Sequence, residues 1–180
     1  MPLLLPTFSL APGNIYCLHI PLGFHDEASA LESEIQDIAR RQGKSAIICR
    51  PAMQARGIRY WLRAQGSAEW LAAAAKISKQ EAARVIATLG EPVHEILGRN
   101  PWTPCCLLGV AAALQQRPEV LLYSTVALDP LGIAAVHRLI ALNNSGLCAI
   151  HFSFQSFYGS GEPAPRYCSE KSLCIDLSPN

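Results

Sequence analysis

The sequence predicts a three-layer α/β domain with a mostly parallel sheet and right-handed crossovers. Short apolar runs that favour strands alternate along the chain with longer segments of helical periodicity. The expected strands are residues 14–19, 46–49, 120–123 and 147–154, followed by one or two closing strands within 167–177. The run at 120–123 is apolar at every position but its last, where Tyr123 stands, as in a strand buried on both faces.

Composition points to one compact, soluble domain. The chain has 180 residues, is 50% hydrophobic and carries a formal net charge of +1, which suits a single core. A near-neutral charge without a basic run argues against a nucleic-acid surface. The first six residues lack the basic segment of a signal peptide, and no apolar stretch reaches the ~20 residues of a membrane span. We therefore expect a cytoplasmic protein that does not itself insert into a membrane.

The cysteines favour a reducing compartment. There are seven, an odd number, and most lie in apolar runs, as buried thiols do. No CxxC pair occurs, so we predict no metal site. One alternative for function is a small α/β enzyme with a thiol such as Cys49 as nucleophile. However, no GxSxG elbow is present, and thiols buried in strands are usually inert.

The most specific stretch is 117–132, which reads RPEVLLYSTVALDPLG. A turn proline leads into the buried strand, and Leu128, Asp129 and Pro130 then form a loop. Pro130 occupies the position of a first-turn helix proline. Apolar residues at helical spacing follow from residue 133 to residue 140, so the stretch predicts strand, loop and helix in succession.

This stretch resembles the Walker B and D-loop segment of ATP-binding-cassette (ABC) ATPases, whose usual form is xPxhhhhDEPTxGLDPxG, where h is apolar. Residues 117–119 match the lead-in, 120–123 the strand and 128–132 the D-loop. Ser124 and Thr125 stand where the family has its Asp and Glu, and the segment between strand and D-loop is about two residues shorter. The resemblance implies a single P-loop-NTPase-like domain, 1–180, with a small helical subdomain at about 60–104. It also leads us to expect the 120–123 strand in the middle of the sheet, beside the strand that starts at Asn14.

The family's phosphate loop, GxxGxGK[ST], is expected after that first strand. Residues 20–27 read IPLGFHDE instead, so Gly23 fits the pattern while Asp26 and Glu27 align with the Lys and the Ser/Thr. Two carboxylates about 4 Å from a phosphate would cost on the order of several kcal/mol. The same carboxylates suit the N-terminus of a helix predicted at 28–40, and we prefer that interpretation.

Other family positions are matched only in part. Gln54 follows the second strand as a Q-loop glutamine would, and residues 97–102 stand where the LSGGQ signature belongs. The helical segment 72–89 contains Ser78 and Glu81 at the spacing of a capping box. His151 lies inside its strand rather than at the tip, where the family has its γ-phosphate histidine, so we expect a core residue.

These observations predict a degenerate ABC-type subunit with no catalytic residues. The nucleotide-site remnants are Gly23, Asp26, Glu27, Gln54, Ser124 and Thr125, and the D-loop interface residues are Leu128, Asp129 and Pro130. The resemblance implies ATP and Mg²⁺ as cofactors, whereas the residues at these positions supply ligands for neither.

The partner implied is a second ATPase-like subunit or a membrane subunit, which would hold the chain at the periphery of the inner membrane. Whether the chain is an enzyme stays open at this point. The alternatives are an active ABC-type ATPase with an unconventional site and the unrelated α/β enzyme.

Overall fold

The computed structural model describes residues 9–21, 23–54, 63–154 and 172–177. The strands are β1 (Ile15–Ile20), β2 (Ala46–Ile48), β3 (Val120–Ser124), β4 (Cys148–Phe154) and β5 (Leu173–Asp176). The helices are α1 (His25–Arg41), α2 (Ser67–Ala75), α3 (Lys79–Ala87), α4 (Trp102–Gln115) and α5 (Pro130–Leu142), with a 3-10 turn at Leu97–Arg99. β5 is the described part of the closing segment expected within 167–177, of which 167–171 lie outside the described residues.

The five strands form one sheet in the order β2-β3-β4-β1-β5, and every described pair of neighbours is parallel. The predicted α/β class with a mostly parallel sheet is therefore confirmed. β3 lies in the interior, as expected, with residues 120–123 all buried.

The expectation that β3 lies beside β1 is wrong, because β4 runs between them. β4 pairs Ile150 with Leu122 on one side and with Tyr16 on the other. The order of parallel strands does not follow chain order, since each crossover connection can carry the chain past a neighbour.

The chain forms two compact units. The first consists of Met1–Ile48, Pro118–Val126 and Asn144–Asn180 and contains the sheet and α1. Alternate residues of its strands, among them Leu18, Leu122 and Ile150, form an apolar core with Leu31 and Ile35 of α1. The helix is longer than the predicted 28–40 because Asp26 and Glu27 belong to its first turn.

The second unit, Cys49–Arg117 with Ala127–Asn143, is helical in its described part. Within it α2 packs against α3 and α4, and α4 packs against α5. Most of the helical subdomain predicted at about 60–104 lies here, although residues 60–62 are outside the described residues. That the whole chain is a single domain stays a prediction.

The predicted helical segment 72–89 covers the end of α2 and the whole of α3, which starts after Ser78 as the capping pattern predicted. Lys76 ends α2 in the left-handed conformation, with φ of 58°, and Ser78 starts α3. The Ser78 side chain accepts a hydrogen bond of 3.1 Å from the Glu81 backbone N–H, so the predicted N-cap is confirmed.

Candidate functional site

The carboxyl ends of β1 and β3 lie on the same edge of the sheet. Ile20 is in register with Phe154, and Ser124 is in register with Phe152 of the same strand. Ligands of open α/β sheets bind at this edge. The structure therefore places Gly23, Ser124 and Thr125 at the edge where a nucleotide would be expected.

The connection from β1 to α1 is a tight turn. β1 ends at Ile20 and α1 begins at His25, and the described residues between them are Pro21, Gly23 and Phe24. The Phe24 N–H donates to the Pro21 carbonyl at 3.3 Å, and Gly23 supplies the required positive φ of 89°. The Phe24 N–H is thus satisfied inside the turn, whereas a phosphate loop directs its backbone N–H groups at the ligand.

Asp26 and Glu27 occupy the first turn of α1, and Arg40 and Arg41 occupy the last. This distribution complements the helix dipole at both ends. The N-cap residue, Phe24, makes no side-chain hydrogen bond to the helix, so the two carboxylates carry the favourable electrostatics of this helix start. Asp26 is exposed and Glu27 partly so.

The hydroxyls of Ser124 and Thr125 are engaged within the protein. Ser124 Oγ accepts a hydrogen bond of 3.2 Å from the Val126 N–H. Thr125 is buried, and its Oγ1 lies 2.8 Å from Nε2 of His151. Ser124 and Thr125 therefore make contacts within the protein at the end of β3.

His151 is the centre of a buried row across three strands. Tyr123, His151 and Cys17 are in register on β3, β4 and β1, so their side chains share one face of the sheet. The Tyr123 and His151 rings stack with centroids 4.9 Å apart, and His151 Nδ1 lies 3.4 Å from Cys17 Sγ. His151 is 1% exposed, in keeping with the core role expected for it.

Gln54 and Gly98, both in the second unit, lie together. The Oε1 atom of Gln54 sits over Gly98 so closely that a Cβ added there would overlap it. Gly98 belongs to the 3-10 turn that stands in the place of the signature motif, and α4 follows with Pro101 as its N-cap. No sequence pattern predicted this contact, because only the fold brings residues 54 and 98 together.

Asp129 caps α5. Its Oδ1 accepts a hydrogen bond of 2.7 Å from the Gly132 N–H, and Pro130 occupies the first turn. Asp129 and Pro130 are exposed, and Leu128 is partly buried. The D-loop stretch is thus a well-formed helix start with an accessible surface.

The thiols argue against a cysteine nucleophile. Burial raises the pKa of the Cys49 thiol far above its ordinary value, although the residue as a whole keeps some exposure. Burial also raises the pKa of Cys106 and of Cys148 to about 11. A thiol must ionise to attack, so these three are poor nucleophiles near neutral pH.

Sequence reasoning missed a cluster of Cys17, His19 and Cys174. Their Sγ and ring nitrogen atoms all lie within 4.8 Å of one another. The expectation of no metal site rested on the absence of CxxC spacing. The available signal was the Cys17-x-His19 pattern on a strand, which puts both side chains on one face.

Comparison with solved structures identifies the architecture. A putative ABC transporter ATP-binding protein from Pyrococcus furiosus superposes with a TM-score of 0.63 at 17% identity, covering 93% of this chain and 86% of that one. The fold is that of ABC transporter ATP-binding proteins. cbiO1 from Clostridium perfringens, part of the ABC transporter complex cbiONQ, has a TM-score of 0.53 at 13% identity and covers 78% of this chain and 67% of that one.

The likeness is one of fold. No family model matches the sequence, and no curated protein does. Within this fold β3 and α5 carry the stretch that resembles the Walker B and D-loop segment, and β1 leads into the turn that precedes α1. Among the helices that the structure describes, none is long and apolar enough to cross a membrane.

We predict that Thr125→Val destabilises the protein by about 1–3 kcal/mol, because it removes the hydroxyl that contacts buried His151 Nε2. Urea unfolding measures the change. The matched control is Thr88→Val. The exposed hydroxyl of Thr88 donates to the Val85 carbonyl at 2.7 Å, and its removal should change the free energy of unfolding by no more than about 0.5 kcal/mol. Equal stability of the Thr125 variant and the wild type would contradict the assigned role.

Proposed function

We propose that this chain is an ABC-type subunit that does not hydrolyse ATP and serves as a partner or regulatory subunit of a membrane transporter. The observation that carries the proposal is the turn closed by the Phe24 N–H to Pro21 carbonyl hydrogen bond, followed by Asp26 and Glu27. In the family this place holds a phosphate loop ending in Lys and Ser/Thr.

Electrostatics at this turn oppose a nucleotide. The Lys of a phosphate loop stabilises the β- and γ-phosphates, and the Ser/Thr holds Mg²⁺. Here two carboxylates occupy the helix start, where they would repel a triphosphate, although solvent exposure of Asp26 weakens that repulsion. The turn also keeps the Phe24 N–H for its own hydrogen bond, which removes a donor that a phosphate would need.

The end of β3 supports the same conclusion. Phosphoryl transfer requires carboxylates that hold Mg²⁺ and orient the attacking water. Ser124 and Thr125 are neutral and already hydrogen-bonded, to Val126 and His151. Loss of charge stabilisation at several points should lower the rate by many powers of ten.

The fold supports a transporter role. cbiO1, one of the structural relatives, is part of an ABC transporter complex. We infer that this chain likewise works with a second ATPase-like subunit or a membrane subunit, in the cytoplasm and at the inner membrane through that partner. The net charge of +1 gives no reason to expect a nucleic-acid partner.

The purified protein should show no ATP turnover above background at millimolar Mg-ATP. Phosphate release measures the rate, and a Thr125→Ala variant is the matched control for contaminating ATPases. Turnover of about 1 s⁻¹ or more that disappears in the Thr125→Ala variant would overturn the proposal in favour of an active ATPase with an unconventional site.

Substitutions at Asp129 separate helix capping from pairing with a partner. Asp129→Ala should lower stability by about 1 kcal/mol, because Gly132 loses the acceptor of its N–H. Asp129→Asn keeps a capping oxygen and should leave stability nearly unchanged, so it tests the carboxylate charge alone. Thermal melts and light scattering of both variants provide the readouts.

If Asp129 also pairs with a second subunit, Asp129→Asn weakens association while its melting temperature stays at the wild-type value. A wild-type chain that is monomeric at all concentrations and recovers no partner from cells would contradict the pairing role.

A further inference from the structure

The cluster of Cys17, His19 and Cys174 follows from strand register. Cys17 and His19 are two residues apart on β1, and Cys17 is in register with Cys174 on the neighbouring parallel strand β5. Successive side chains of a strand point to opposite faces, so all three belong to the same face of the sheet. Their ligand atoms lie within 4.8 Å of one another.

We propose that these three residues bind a zinc ion. Two thiolates and an imidazole are a common zinc ligand set, with Zn–S bonds of about 2.3 Å and Zn–N bonds of about 2.0–2.1 Å. These bond lengths place ligand atoms about 3.5–3.8 Å apart in a tetrahedron. The ligand atoms lie within 4.8 Å of one another, so they must approach by about 1 Å to reach these spacings. Small rotations of the side chains on the adjacent strands supply this movement.

The donor set selects the class of metal. Sulfur and imidazole donors favour zinc and other borderline or soft ions over Mg²⁺ or Ca²⁺, which require oxygen ligands. Two thiolates balance the charge of Zn²⁺, so the bound unit is neutral. A neutral unit suits this location, because Cys17 is fully buried and His19 is 8% exposed, and an unbalanced buried charge is costly. Both thiols give up a proton to solvent when the ion binds.

Access and coordination number follow from burial. Cys174 is exposed whereas Cys17 and His19 are buried, so the ion enters from the side of β5. Three protein ligands leave one position of the tetrahedron for water or a small exogenous ligand.

His151 is a positioning residue for this site. Its Nδ1 lies 3.4 Å from Cys17 Sγ, and its Nε2 lies 2.8 Å from Thr125 Oγ1. With the proton on Nδ1, the ring donates to the Cys17 thiolate and accepts from the Thr125 hydroxyl. A hydrogen bond of this kind orients a ligand and favours its ionised form.

The ion would also fasten the edge of the sheet. In the described structure β5 is the last strand of the sheet and pairs with β1. A metal bonded to Cys17, His19 and Cys174 joins these two strands covalently through its ligands. Zinc should therefore raise the melting temperature, as any ligand does that binds the folded state alone.

The test is a metal titration of the full-length chain, purified and kept reduced. Co²⁺ should bind at one ion per chain and produce the near-ultraviolet absorption of a sulfur-to-cobalt charge transfer, and Zn²⁺ should abolish that absorption by displacement. Cys174→Ser should weaken zinc binding by at least about 10-fold. Because Cys174 is exposed, this substitution should leave the protein folded, and weaker binding would then report the loss of the ligand.

The matched control is Cys105→Ala, which removes a thiol outside the cluster, on α4, and should bind zinc as the wild type does. His19→Asn is the second ligand variant and should weaken binding like Cys174→Ser. Three results would overturn the proposal: the chain does not bind one equivalent of zinc, cobalt binds without the charge-transfer absorption, or both ligand variants bind zinc with wild-type affinity. A Cys17–Cys174 disulfide that persists under reducing conditions would overturn it too.

Discussion

The burial of β3 is the constraint on which the rest of the sheet depends. Residues 120–123 are buried completely and pair with β2 on one side and β4 on the other. A buried backbone must have all its N–H and C=O groups paired, so β3 requires both neighbours. β4 in turn carries His151 and fixes the register of β1, so the positions of Cys17 and His19 follow from the same pairing.

This arrangement determines the character of the sheet edge where ligands would bind. The hydrogen bonds of the turn at 21–24, of Ser124 and of Thr125 all end within the protein. The carboxylates that follow the turn serve α1 through its dipole. The fold itself therefore accounts for these contacts at the sheet edge.

Local sequence patterns predicted most of the strands and helices, but they could not predict contacts between residues far apart in the chain. Apolar runs located β1 to β4 to within one or two residues, and the cap at Ser78 and the helix start at Pro130 followed from residue type and spacing. The insertion of β4 between β3 and β1 could not be predicted, because crossover order leaves no local signal. The Cys17–His19–Cys174 cluster depends on β5 pairing with β1 across a long separation in sequence.

A calorimetric titration of the purified chain with Mg-ATP, carried into the millimolar range, tests the central claim most directly. If Asp26, Glu27 and the turn closed at Phe24 leave no phosphate site, as proposed, the heats should equal those of dilution. A saturable one-to-one isotherm with a Kd below about 100 μM, or about −5.5 kcal/mol, would contradict it.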